Sequence, residues 1–118
     1  MRALILGASG QLGKRLASAC TARNIPFSAA AYKRSTNAGG SNSYLPLDIS
    51  DRRAVMSLIA NQSPTVIFLC SALTAVDYCE LHPDEARRIN VDGVRHVVDA
   101  SRKSGASVVF LSTDYVFD

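Results

Sequence analysis

Three glycines, Gly7, Gly10 and Gly13, follow the apolar run Ala3-Leu4-Ile5-Leu6 at three-residue intervals and open a helical pattern. In a strand, turn and helix start of this kind each glycine has its own job. One permits the tight turn, one lets the backbone approach a pyrophosphate, and one lets helix pack closely on strand. Backbone N–H groups at the helix start, with its partial positive charge, hold phosphates without any cationic side chain. The expected ligand is therefore a dinucleotide. A plain strand-to-helix turn is the competing reading, because glycines at this spacing also occur where nothing binds. Context favours the cradle: the turn follows a buried-strand run and leads into Leu12, Leu16, Ala19 and Cys20, which share one face at helical spacing.

Two further groups could meet such a ligand. Lys33-Arg34 stands just after the second strand pattern, where a dinucleotide-binding unit usually meets the adenosine ribose. An acidic residue there binds the 2′-hydroxyl of NAD, whereas a cation accommodates the 2′-phosphate of NADP. No acidic residue precedes Asp48, so nothing repels a 2′-phosphate and two cations are on offer, which favours NADP(H) over NAD(H). A pair of exposed loop cations is the alternative. Asp48 ends a short extended piece; its carboxylate can accept from an adenine amino group while the following N–H, that of Ile49, serves a ring nitrogen. A turn or helix-capping aspartate is the alternative there.

The chain of 118 residues supports one domain at most, and 47% hydrophobic with 19% charged residues is ordinary globular composition. Apolar runs fall short of the roughly 20 residues that a membrane span needs, and the apolar start is too short for a signal peptide, so a cytoplasmic location without a membrane partner is expected. Cys20, Cys70 and Cys79 are an odd number without CxxC spacing, which supports neither a disulfide framework nor a metal site. The net charge of +3 is spread over pairs such as Arg52-Arg53 and Arg87-Arg88, with no tryptophan and 7% aromatic residues. That is the pattern of solvated helix faces rather than of a nucleic-acid surface.

The elements that must position these residues follow in order. A helix is expected from Gln11 to Arg23, a strand from Phe27 to Tyr32, a polar loop from Ser35 to Tyr44, and an extended Leu45-Pro46-Leu47. Ser50 is a plausible N-cap for a helix through about Asn61, with Val55, Leu58 and Ile59 on one face. Thr65 to Cys70 is β-rich and apolar, as in a strand buried on both faces of a parallel sheet. Pro83 at a first helical position, followed by Asp84 and Glu85, opens a helix of about 20 residues. Its positions Ala86, Ile89, Val94, Val97 and Val98 face a core, with Asn90 polar on the inward side, and Ser104-Gly105 ends it. Ser107 to Leu111 is another buried strand. The alternation of strand and helix specifies an α/β fold, a Rossmann-like doubly wound parallel sheet truncated after the strand that ends near Leu111.

The string Leu111-Ser112-Thr113-Asp114-Tyr115-Val116-Phe117-Asp118, with Thr74-Ala75-Val76-Asp77 and Asn90-Val91, resembles the extended short-chain dehydrogenase/reductases of the dTDP-4-dehydrorhamnose reductase type. The resemblance covers essentially the whole chain. It implies that Thr113 hydrogen-bonds a sugar carbonyl or the catalytic tyrosine, and that Val76, Asp114, Tyr115 and Val116 line a sugar-nucleotide pocket. It further implies that Gly7, Gly10, Gln11, Leu12, Asp48, Ile49, Ser71, Ala72 and Thr74 surround the nicotinamide dinucleotide, with Gly13 completing the glycine turn.

The chemistry implied is hydride transfer from a nicotinamide cofactor to a keto sugar, with a tyrosine as proton donor and a lysine four residues later. The sequence departs from that pattern. Tyr32, Tyr44 and Tyr78 are followed at the fourth position by Thr36, Asp48 and His82, and Tyr115 lies too near Asp118 to have such a partner. The expectation is an amino-terminal portion of an NAD(P)-binding Rossmann domain, residues 1–118, whose substrate-binding carboxyl part is absent and which is inactive alone. A non-catalytic NADP-binding regulatory subunit of the same family is the alternative, and a module for another adenine cofactor is a third reading. The expected partner is a nucleotide-sugar substrate, with no nucleic acid; a homodimer of the full-length protein stays open.

Overall fold

β1 (Ala3–Leu6) is buried along its whole length, and its alternation explains why every residue is apolar. Leu4 and Leu6 point into one core cluster, Ala3 and Ile5 into another on the opposite face, as in a parallel sheet covered on both sides. The computed structural model describes residues 1–32, 44–70, 81 and 83–110.

From β1 the chain turns through Gly7 to Gly10 into α1 (Gln11–Ala22) and returns as β2 (Phe27–Ala31). Asn24 takes a positive φ of 56° between them, a conformation that asparagine tolerates better than most residues. A short β3 (Leu45–Pro46) and α2 (Arg52–Gln62) lead to β4 (Val66–Leu69). A helix then runs from Pro83 to Ser104 as α3 (Pro83–Arg87), a π-helical segment (Arg88–Gly93) and α4 (Val94–Ser104), before β5 (Ser107–Phe110). Gly105 closes α4 at φ 78°, the left-handed conformation usual just past a helix end.

All pairings are parallel, and the strand order is β3-β2-β1-β4-β5. The register sets Ala3 opposite Phe27 on one side and Val66 on the other. The order reverses between β1 and β4, which makes their carboxyl ends the switch point of a Rossmann-like doubly wound sheet, the place where such sheets take ligands. One face is covered by α2 and α4, through Val55, Ile59, Val97 and Ala100 against Leu4, Leu6, Ile67 and Leu69. The other is covered by α1, through Leu16, Ala17 and Cys20 against Ile5, Phe27 and Phe68.

Four expectations are corrected. The face of α1 that meets the sheet carries Gly13, Leu16, Ala17 and Cys20, while Ala19 is exposed and Leu12 is 45% exposed. The N-cap of α2 is Asp51, whose carboxylate accepts from the Ala54 N–H at 3.2 Å; Ser50 is engaged instead by Asp48. The long helix is not α-helical throughout: it widens to a π segment over Arg88–Gly93, which a uniform 3.6-residue period does not foresee. β5 pairs with β4 as expected but is not buried: Phe110 is 50% exposed and Val109 38%. It is an edge strand, flanked on one side only among the described residues.

Candidate functional site

The carboxyl edge of the sheet gathers the glycine turn after β1, Tyr32 after β2, Asp48-Ile49 after β3 and Cys70 after β4. The Gly7 and Ala8 N–H groups both donate to the Ala30 carbonyl at 2.9 Å, and the Cys70 N–H donates to the Leu6 carbonyl at 2.8 Å. The turn is thus pinned to both neighbouring strands.

The three glycines of the turn differ in what the fold asks of them. Gly7 has φ 81°, which a side chain would strain. A Cβ on Gly13 would lie 2.5 Å from the Gly7 carbonyl oxygen and 2.6 Å from the Ala8 Cα, so only glycine lets α1 rest on the turn. Gly10 is different: its φ of −76° suits any residue, and a Cβ there would meet nothing nearer than the Gly7 oxygen at 3.5 Å. Among the described residues nothing excludes a side chain at Gly10.

Gly10 is also the N-cap of α1, and it supplies no side-chain acceptor; the first turn holds no acidic residue either. The N–H groups of Gln11, Leu12 and Gly13 precede the first intrahelical bond, which Lys14 makes to the Gly10 carbonyl at 3.0 Å. A helix start of this kind can take an anion through its dipole and its orphan donors. α2, by contrast, caps itself with Asp51. The exposed Leu12 belongs to this rim rather than to the core.

Asp48 accepts from the Ser50 N–H at 2.9 Å and from the Ser50 hydroxyl at 2.6 Å, both on Oδ1. The turn role is therefore real, and it fixes the carboxylate without using Oδ2 in either bond. Ile49 is buried, and its carbonyl accepts from His96 Nδ1 at 3.0 Å. A Cβ on Gly93 would lie 2.6 Å from the Ile49 Cδ1 and 2.7 Å from its Cγ1. The sequence reading missed both Gly93 and His96. The signal for the first was available, because an isolated glycine inside a helical pattern lowers helix stability and usually has a packing reason.

Of the residues expected to act together, Gly7, Gly10, Gln11, Leu12, Gly13, Asp48 and Ile49 lie at this edge. Lys33, Arg34, Ser71, Ala72, Thr74, Val76, Thr113, Asp114, Tyr115 and Val116 fall outside the described residues. Among the described residues no group of three histidine, cysteine, aspartate or glutamate side chains could hold a metal ion, and no helix is long and apolar enough to cross a membrane. A cavity of about 610 Å³, lined by Met56, Ile59, Pro64, Ala100 and Lys103, opens between α2 and α4. It lies at the amino edge of the sheet, away from the glycine turn.

The RmlD substrate binding domain family matches residues 1–118. The dTDP-4-dehydrorhamnose reductase of Streptomyces griseus is 39% identical over 116 residues, which are 98% of this chain and 34% of that protein. The crystal structure of dTDP-4-dehydrorhamnose reductase from Bacillus anthracis in complex with NADP superposes with a TM-score of 0.82 at 35% identity, covering 98% of this chain and 37% of that one. Methionine adenosyltransferase 2 subunit beta of Bos taurus is 31% identical over 117 residues, 99% of this chain and 34% of the relative. The chain spans about a third of the length of the curated relatives it matches.

Proposed function

The chain belongs to the RmlD substrate binding domain family, and on that premise we propose that it forms the dinucleotide-binding part of an NADP(H)-dependent reductase of keto sugar nucleotides, of the dTDP-4-dehydrorhamnose reductase kind. The observation that carries the reading is the start of α1, where the N–H groups of Gln11, Leu12 and Gly13 precede the first intrahelical bond and Gly10 caps the helix without a side-chain acceptor. The relatives' reductase names and the NADP complex of one of them support the chemistry.

The N–H groups of Gln11, Leu12 and Gly13 hold the pyrophosphate, with Gly10 letting it approach. Asp48 and Ile49 take the adenine edge, Lys33 and Arg34 the 2′-phosphate, and Ser71, Ala72 and Thr74 the remaining surface of the dinucleotide. Val76, Asp114, Tyr115 and Val116 line the sugar-nucleotide pocket, and Thr113 donates to the sugar carbonyl or orients the proton-donating tyrosine. When bound, the reduced nicotinamide supplies the hydride. The 118 residues contain no Tyr-x-x-x-Lys pair, so they bind the dinucleotide without turning over.

Gly10→Ala tests the cradle. The substitution meets no protein atom nearer than 3.5 Å, so the melting temperature is expected to hold while the added methyl blocks the pyrophosphate and weakens NADPH binding about tenfold or more, an overpacking penalty. Gly13→Ala serves as contrast and should lower the melting temperature. Unchanged NADPH titration in Gly10→Ala would return the turn to a merely structural role. For the cofactor, alanine at both Lys33 and Arg34 should weaken NADPH more than NADH, in the same titration; equal losses would remove the 2′-phosphate assignment.

A second reading rests on the 31% identity to methionine adenosyltransferase 2 subunit beta: a non-catalytic, NADP-binding regulatory subunit. Both readings share the cradle. They part on whether the whole protein reduces a dTDP-4-keto sugar with NADPH.

A further inference from the structure

Ile49 is held from the helix across from it at two points. Its side chain packs against the bare backbone of Gly93, at the end of the π segment, so closely that a Cβ on Gly93 would fall 2.6 Å from Cδ1. One turn later His96 on α4 brings Nδ1 to 3.0 Å from the Ile49 carbonyl oxygen. A carbonyl only accepts, so Nδ1 carries a proton, which in the neutral ring selects the tautomer with Nε2 bare. The Ile49 carbonyl shares its peptide plane with the Ser50 N–H, which donates to Asp48 Oδ1 at 2.9 Å, so His96 holds the same peptide that braces the Asp48 carboxylate, while the packed Ile49 side chain holds the Cα next to the Ile49 N–H.

We infer that His96 is a positioning residue for adenine recognition: together with Gly93 it fixes the Asp48-Ile49 turn so that the Asp48 carboxylate and the Ile49 N–H present one preset hydrogen-bonding edge. The inference rests on the dinucleotide reading above. His96 touches the turn through the carbonyl of Ile49; the N–H of that same peptide, that of Ser50, donates to Asp48, and the Ser50 hydroxyl adds a second bond to the carboxylate. The π segment is part of the device. Its extra residue sets the phase at which Gly93 meets Ile49 and His96 follows within reach of the same residue.

The test uses wild type, His96→Ala and His96→Asn, titrated with NADPH, AMP and nicotinamide mononucleotide, which lacks adenine. Loss of a bond to a buried carbonyl predicts AMP and NADPH binding about five- to tenfold weaker in His96→Ala, with nicotinamide mononucleotide binding unchanged. Asparagine places an amide donor as many bonds from Cα as Nδ1 and should restore AMP affinity to within about twofold. A drop in melting temperature with AMP affinity intact would overturn the inference, as would equal losses for AMP and nicotinamide mononucleotide. The tautomer gives a check on wild type that needs no variant: the imidazole nitrogen shifts should show hydrogen on Nδ1, and hydrogen on Nε2 in the neutral ring would overturn the inference. Wild type that binds neither NADPH nor AMP sinks the dinucleotide reading itself, a result distinct from a His96 variant that binds as wild type does.

Discussion

Cys70 shows how much a single residue's chemistry depends on where its strand ends. Its N–H is bonded to the Leu6 carbonyl beside the glycine turn, and partial burial pushes its thiol pKa above the usual value by desolvating the thiolate. The thiolate is the reactive form. Alkylation of Cys70 by iodoacetamide at neutral pH should therefore run slower than for an exposed cysteine, and rise only as pH climbs beyond the ordinary thiol pKa of about 8.5. NADPH in the cradle should slow it further. Peptide mass spectrometry of the labelled protein checks both; labelling at the rate of a free cysteine, or indifference to NADPH, would contradict the placement. Gly7, Gly10 and Gly13 make the same point about residue type. Three identical letters at equal spacing stand for a backbone conformation, an open approach and a close packing contact.

At the scale of elements, what was legible followed from packing, and what was missed followed from local competition. β1 and β4 are found where their apolar runs stand, because strands covered on both faces have no polar alternation to obscure them. The start of α2 is one residue later than expected because Ser50 and Asp51 are both good caps, and Asp48 takes the serine first. The π segment was missed because a uniform 3.6-residue template does not foresee it. α2 and α4, which cover one face together, are also joined at the surface by Arg52 and Asp99, whose Nη1 and Oδ2 lie 2.9 Å apart. The hydrogen bond from Arg52, with the charges of Arg52, Arg102 and Arg95, holds the Asp99 carboxyl below the usual aspartate range. A depressed folded-state pKa contributes stability above the unfolded pKa and loses it as pH falls through the folded value. The Asp99→Asn variant should thus melt slightly below wild type at neutral pH, and the two curves should converge as acid protonates Asp99 in the folded as well as the unfolded state. The gap should shrink with salt, as for any exposed pair; a gap that persists in acid would show that the pair's charge is not its source.

For the molecule as a whole, the parallel sheet separates two tasks by its two edges. The carboxyl edge carries the glycine turn and the Asp48-Ile49 turn, whereas at the amino edge Arg2 ties β1 to its neighbours. There Arg2 donates through Nε to the Gln62 carbonyl at 2.9 Å, and through Nη2 to the Ser28 hydroxyl at 2.9 Å and the Gln62 Oε1 at 3.0 Å. Its backbone carbonyl meanwhile accepts from the Thr65 N–H at 2.8 Å. One side chain at the head of β1 thus bridges β2 and the last turn of α2, while its backbone holds the entry to β4. This satisfies a helix-end carbonyl that has no intrahelical partner. The sequence marks Arg2 only as a cation before an apolar run, since its partners lie 26 and 60 residues away. The separation of edges makes a prediction that neither edge alone would make. Arg2→Met keeps the aliphatic stem and removes the donors, leaving the part-buried Gln62 carbonyl without its partner while the Ser28 hydroxyl still donates to Gln62 Oε1, so it should destabilise by about 1 to 3 kcal/mol in denaturant titration. NADPH affinity, measured well below the unfolding transition, should be unchanged, because the cradle hangs on the opposite ends of the same strands. Weakened NADPH binding in a fully folded Arg2→Met protein would mean that the two edges are coupled through β1, and the division of labour proposed for the sheet would have to be abandoned.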